Sequence, residues 1–134
     1  MKTINTKKLG NVGKLGEDEA VKLLTAKGYE IIGRNVICNG NEVDIIARDM
    51  KYIVFVEVKT RTIFQGLSRF GSAASAVDKN KQLKIFAAAK AFLKESPQRR
   101  VPRYDVIEVY VEKSDNNITV ERINHIPKAF GGGR

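Results

Sequence analysis

The stretch NEVDIIARDMKYIVFVEVKTR, residues 41–61, decides the fold. Its apolar run Ile53-Val54-Phe55-Val56 has the composition of a buried strand, yet it continues without a break into Glu57-Val58-Lys59. Asp49-Met50 marks a tight turn, and Glu42 to Arg48 before it reads as the antiparallel partner strand. Side chains alternate faces along a strand, so Glu57 and Lys59 point one way and Val58 the other. With a two-residue turn at Asp49-Met50, Arg48 lies opposite Lys51 and Asp44 opposite Phe55. Asp44 is then a diagonal neighbour of Glu57 on the same face, roughly 7 Å or less away between Cβ atoms. A register slip of one residue would send Asp44 to the reverse face.

Two carboxylates that converge in this way repel each other unless something neutralises them. A divalent cation does so, and an all-oxygen donor set suits Mg²⁺ or Mn²⁺. The Val58 carbonyl is a further candidate oxygen. Lys59 then stands where it can position a water or meet the charge that builds on a phosphate. The competing reading is a strand-end ion pair between Glu57 and Lys59, worth about 0–1 kcal/mol if exposed. E-x-K alone is a weak signal. The full D-x(12)-E-x-K, with an apolar run leading into the acid, is more specific.

Outward from this hairpin the chain reads as a small α/β protein. Leu15, Ala20, Val21, Leu23 and Leu24 recur at helical spacing from about Lys14 to Lys27, with Gly28 as the stop. YEIIGRNVIC is a strand with a bulge expected at Gly33, and Asn39-Gly40-Asn41 is a turn. Residues 62–77, rich in Gly, Ser and Ala, read as a loop. Asp78 is a candidate N-cap for a helix from Lys79 to Lys94, with Leu83, Phe86, Ala89 and Leu93 among its apolar positions. RYDVIEVYVE alternates as a half-buried strand, and NITVERI is its hairpin partner. The order helix, three strands, helix, two strands implies a mixed sheet flanked by helices. Residues 1–13 read as a flexible basic arm, 14–126 as a single domain and 127–134 as a disordered tail.

Composition narrows the chemistry. At 134 residues, 43% of them hydrophobic, one domain with a real core is expected. The single Cys38 and single His125 exclude a disulfide framework and a Cys/His zinc cluster within the chain. No apolar run is long enough to span a bilayer and the N-terminus has no signal-like apolar region, so the expectation is a cytoplasmic protein without membrane contact. Lys plus Arg number 24 against 15 acids, a net +9, and a domain this basic most often meets nucleic acid. Lys79, Lys81 and Lys84, with Lys90, Lys94, Arg99, Arg100 and Arg103, form a run broken only by Glu95. Lys2, Lys7, Lys8 and Lys14 add a second cluster, and Arg61 follows Lys59 on the same strand face. Such contacts grip phosphate without reading sequence, and no recognition helix is evident.

Several segments, GKLGEDEAVKLLTAKGYEIIGRN, NEVDIIARD, IVFVEVKTR, KNKQ and RYDV, resemble the YraN-like (UPF0102) family over roughly Val12 to Val111. That family resembles the restriction-endonuclease-like, PD-(D/E)xK nucleases and, distantly, archaeal Holliday-junction resolvases. The resemblance implies an α-β-β-β-α-β core and Mg²⁺- or Mn²⁺-dependent cleavage of DNA. It assigns the strand acid to Asp44, the E-x-K to Glu57 and Lys59, the helix acid to Glu17 and the second-helix Lys-Gln to Lys81 and Gln82. It departs at Asn41, where the family usually has Gly, which alters a turn and not a ligand. A homodimer is implied only through the distant resolvases.

Glu17 shares a helix face with Ala20, Val21 and Leu24, where an acid needs a cationic partner; a metal or Lys59 would supply one. Gln82 shares a face with Phe86, Ala89 and Leu93 and either contacts the site or satisfies a buried carbonyl. Asp105 is read as structural, paired with Arg103, and His125 as incidental. Two function classes stand: a metal-dependent, structure-selective DNA endonuclease, or a nucleic-acid-binding protein on a nuclease fold without cleavage.

Overall fold

In a computed structural model, residues 2–5, 12–63, 77–115 and 117–131 are described. The elements are β1 (Lys2–Asn5), α1 (Val12–Ala26), β2 (Glu30–Cys38), β3 (Asn41–Arg48), β4 (Tyr52–Ile63), α2 (Lys79–Glu95), β5 (Val101–Ser114) and β6 (Asn117–Phe130). They build one six-stranded sheet in the order β1-β6-β5-β4-β3-β2. Only β4 and β5 run parallel, joined by the crossover that contains α2; all other neighbours are antiparallel. The order α1-β2-β3-β4-α2-β5 is the α-β-β-β-α-β core expected from the sequence.

Strand alternation sorts the core into two layers. Leu15, Ala20 and Leu24 of α1 pack on Ile45, Ala47, Val54, Val56, Ile107 and Val109. Ile85, Ala88 and Ala89 of α2 pack on Ile46, Ile53, Phe55 and Val106 from the other face. The central strands are therefore covered on both sides. This corrects the expectation of a half-buried β5, where Asp105 through Val111 are all buried.

Local chemistry explains most boundaries. Gly28, at φ +94°, ends α1, with Tyr29 N–H returning to the Leu24 carbonyl at 3.0 Å. Asn39 and Gly40, both at positive φ, make the two-residue β2–β3 turn that pairs Cys38 with Asn41. The bulge in β2 falls between Ile31 and Gly33 as expected. Asp78 caps α2, its carboxylate accepting from Lys81 N–H at 2.8 Å. Gly16 lies inside α1, where a Cβ would stand 1.9 Å from the Thr60 hydroxyl, so its absence lets the helix close on β4.

Both termini correct the sequence reading. Lys2–Asn5 is not part of a loose arm: it pairs with Asn117–Val120 and extends the sheet beyond β6. β6 itself runs to Phe130, because Tyr104 pairs with Phe130 and draws that end of the chain against β5. The loop expected at 62–77 lies largely outside the described residues, as do Lys7, Lys8, Phe64 and Phe70. No described helix is long and apolar enough to cross a membrane.

Candidate active site

The β3–β4 hairpin sets the geometry. Arg48 pairs with Ile53 and Ile45 with Val56, and the Asp49 N–H donates to the Tyr52 carbonyl at 3.0 Å, so the chain turns at Met50-Lys51, one residue later than the expected Asp49-Met50. The Asp49 carboxylate explains this: it accepts from the N–H groups of both Lys51, at 2.9 Å, and Tyr52, at 2.7 Å. The register therefore moves by two residues from the expected one, and an even shift keeps every face. One step past the Ile45–Val56 pair, Asp44 comes abreast of Glu57 instead of diagonal to it.

At that point the ladder gives way to side-chain chemistry. Asp44 Oδ2 accepts the Val58 N–H at 2.8 Å, fixing the carboxylate at the mouth between β3 and β4. Val58 thus meets Asp44 through its N–H. Glu57 is 5% exposed, and its Oε1 is buried with no hydrogen-bond partner among the described residues. Its other oxygen meets Lys59 Nζ at 3.5 Å, and Lys59 keeps about a third of its side chain exposed. A carboxylate oxygen held in the dry without a proton donor is costly, and it is the kind of group a cation satisfies. Burial first, and the Glu57 charge second, push the Asp44 carboxyl up to about 6. Lys81, at the start of α2, pulls the other way, so the helix presents a cation toward the acid pair.

The remaining expected residues divide. Glu17 comes to this end of the sheet from α1; burial, then Asp44, raise its carboxyl above the ordinary range. Its cationic neighbour is Arg34, at 3.8 Å, and not Lys59. Arg34 reaches it because β2 is irregular here, with Asn35 at φ +51°. Together they line an open cavity of about 560 Å³ with Gly13, Lys14 and Asn35. Gln82 Nε2 donates to the Val77 carbonyl at 2.8 Å, which is the carbonyl-satisfying role weighed for it. Lys79 and Lys84 are exposed. Arg61 is ion-paired with Glu108 at 3.1 Å. Glu42 is exposed.

Two features escaped the sequence reading. Glu108 is 1% exposed, sits beside Lys59 in the parallel β4–β5 register, and also bonds Asn124. An acid inside the apolar stretch Val106-Ile107-Glu108-Val109 was the same signal that Glu57 gave. His125 is not incidental: its Nε2 lies 2.8 Å from Asp105 and its Nδ1 2.8 Å from Lys27 Nζ. With Lys27 donating to Nδ1, Nε2 carries the proton given to Asp105. Asp105 is fully buried and pairs bidentately with Arg103, as expected, at 2.7 and 2.9 Å. Nothing in the local sequence joins residues 27, 103, 105 and 125; tertiary packing does.

Among the described residues no group of three or more His, Cys, Asp or Glu side chains is arranged to hold a metal ion. Two carboxylates are nevertheless a sufficient protein contribution for Mg²⁺, which keeps several waters and commonly binds through one or two carboxylates. Asp44 and Glu57, one with an unpartnered buried oxygen, fit that ion.

The family model described as Uncharacterised protein family UPF0102 matches residues 16–109. A UPF0102 protein of Caldanaerobacter subterraneus subsp. tengcongensis is 42% identical over 131 residues, covering 97% of this chain and all of that protein. One from Caldicellulosiruptor bescii is 41% identical over 91% of this chain and 98% of its own. One from Geobacter metallireducens is 41% identical over 90% and 92% respectively. The chain belongs to the UPF0102 family.

Proposed function

We propose that this UPF0102 chain is a Mg²⁺- or Mn²⁺-dependent endonuclease of restriction-endonuclease-like, PD-(D/E)xK type, distantly related to archaeal Holliday-junction resolvases. Its substrate class is DNA distinguished by shape, such as branched or flapped duplex. The observation that carries the reading is the pairing of half-buried Asp44 with buried Glu57, one step past the Ile45–Val56 pair of β3 and β4, with Glu57 Oε1 unpartnered and Lys59 at 3.5 Å.

Asp44 and Glu57 would hold the cation, which when bound would polarise the scissile phosphate and lower the pKa of a water. The chain's own groups do the rest. The Val58 N–H keeps Asp44 in one rotamer, so the donor oxygens do not reorganise when substrate arrives. Lys59, anchored by Glu57 and open to solvent on its other side, offers an ammonium to a phosphate oxygen as charge builds there. Lys79, Lys81 and Lys84 flank the mouth and neutralise backbone phosphates without reading bases. Lys59 is the candidate catalytic residue; Asp44 and Glu57 are the candidate ligands. The net charge of +9 supports a polyanionic substrate.

The test is nicking of four-way, flapped and single-stranded DNA with Mg²⁺ or Mn²⁺, by the wild type and by Asp44→Ala. Cation-dependent cleavage by the wild type alone supports the proposal. Equal cleavage by both refutes this site. Binding by both with cleavage by neither makes the chain a nucleic-acid-binding protein on a nuclease fold.

A further inference from the structure

A second site lies at the other end of β4. A cavity of about 260 Å³ opens where β4 and β5 begin, lined by Tyr52, Pro102, Arg103, Tyr104, Lys128 and Phe130 among others. Three cations surround its Tyr52 ring: Arg103 at 4.6 Å, Lys51 at 5.2 Å and Lys128 at 5.7 Å from the centroid. Each is individually favourable over an aromatic face, but three like charges about one ring repel. The carboxylates nearby are engaged elsewhere. Asp105 is held by Arg103 and His125, Asp49 by the backbone of Lys51 and Tyr52, and Glu30 by Arg48. Lys128 therefore presents positive charge in the lining of a cavity whose wall is the stacked pair Tyr104 and Phe130, 5.7 Å apart, and Lys51, outside the lining, adds its charge over the Tyr52 ring.

The backbone is also arranged for this. Lys128 sits at φ +54°, a conformation that disfavours any residue but glycine. Buried Asp105 holds it there by accepting its N–H at 3.1 Å. A non-glycine residue kept in this region by a buried carboxylate is strain of the sort found at ligand sites. Burial raises the Tyr52 phenol pKa, but hydrogen bonding to Lys51 and the charges of Lys128 and Lys51 together bring it below its ordinary value. That is the response of a hydroxyl in a field that would equally favour a bound anion.

We infer that this cavity binds a nucleotide, its phosphate between Lys51 and Lys128 and its base against the apolar wall. The inference does not rest on the nuclease reading. Tyr52 lies five residues before Glu57 on β4, roughly 16 Å along the strand and, at an odd separation, on the opposite face, so a strand of DNA would have to pass round the end of the sheet to touch both. The nucleotide is either free or part of such a strand.

Titration of the full chain with adenosine monophosphate, adenosine and inorganic phosphate, followed by amide NMR shifts, tests this. Saturable shifts at Tyr52, Arg103 and Lys128 are expected, tightest for the monophosphate. Lys51→Gln and Lys128→Gln should each weaken binding about tenfold, while Asp44→Ala leaves it unchanged. Thermal melts check that both exposed-site variants fold. Displacement of the monophosphate by a single-stranded oligonucleotide assigns the site to a strand; failure to displace assigns it to a free nucleotide. No saturable binding, or equal affinity in the doubly substituted protein, overturns the inference.

Discussion

Replacing Asp44 by asparagine should stabilise the cation-free protein while removing its response to Mg²⁺. The Asp44 carboxyl stands at about 6 against an ordinary 3.8, because it is buried and faces Glu57. Folding therefore takes up a proton between those values. Wild-type stability falls as pH rises across that window, and the full penalty, about 3 kcal/mol, is present above it. The amide of Asp44→Asn carries no charge, keeps an oxygen for the Val58 N–H, and can donate to the unpartnered Glu57 Oε1. Burying the amide offsets part of the gain, leaving about 1–2 kcal/mol, or roughly 3–6 °C in Tm for a domain of this size. Circular-dichroism melts in EDTA should show this gain near pH 7.5 and its loss near pH 4. Adding Mg²⁺ should then raise the wild-type Tm, by about 1.4 kcal/mol of stability at ten times its Kd, and leave Asp44→Asn nearly unmoved. If Asp44→Asn is less stable than the wild type at both pH values, the acid pair is not mutually repelling. The argument for a cation between them then fails.

Gly16→Ala should destabilise by about 1–3 kcal/mol, read as a lower urea midpoint, because the new methyl meets the Thr60 hydroxyl at 1.9 Å. Thr60→Ala in that background should recover most of the loss. Asp105→Asn should cost about 3–5 kcal/mol near neutral pH by leaving the buried Arg103 guanidinium without its counter-charge and one of the two carboxylate acceptors replaced by a donor. Burial opposes ionisation of Asp105, but hydrogen bonds from His125 and Arg103 outweigh it and hold the carboxyl below its ordinary value. Its contribution is thus complete above about pH 4 and disappears on further acidification, so the gap between variant and wild type should narrow there. DNA affinity should fall steeply with salt, and Lys79→Ala and Lys84→Ala should each reduce the slope of log K against log salt by about 1, with no change in sequence preference.

The fold was legible where periodicity and turn chemistry act over a few residues. Gly28, Asn39-Gly40 and Asp78 each mark a boundary through their own backbone or side-chain bonding. The register of β3 on β4 was legible only modulo two. The alternation of apolar residues fixes which face Asp44 occupies, but the Asp49 carboxylate, by gathering two N–H groups, fixes where along the strand it stands. The ends were misread because nothing in Lys2–Asn5 says that β6 has an unpaired edge to offer it. Arg34, His125 and Lys27 were invisible for the same reason: their partners, Glu17 for Arg34, Asp105 for His125 and His125 for Lys27, are far away in sequence.

Two acids beside the middle of β4 show how differently a buried carboxylate can be handled, for Asp105 stands next to Val56 in the β4–β5 register, one step from Glu57. Asp105 is fully buried, and it receives Arg103, His125 and the Lys128 N–H; it ionises readily and fastens β5 to β6. Glu57 is nearly as buried, yet one oxygen has no described partner and the other only a distant lysine. A fold that satisfies one carboxylate so thoroughly is able to satisfy the other; Arg61 is four residues along β4 and bonds Glu108 instead. On the function proposed above, Glu57 and Asp44 would receive their positive charge from a bound cation. An ammonium or guanidinium placed there permanently would remove the site's reason to bind one.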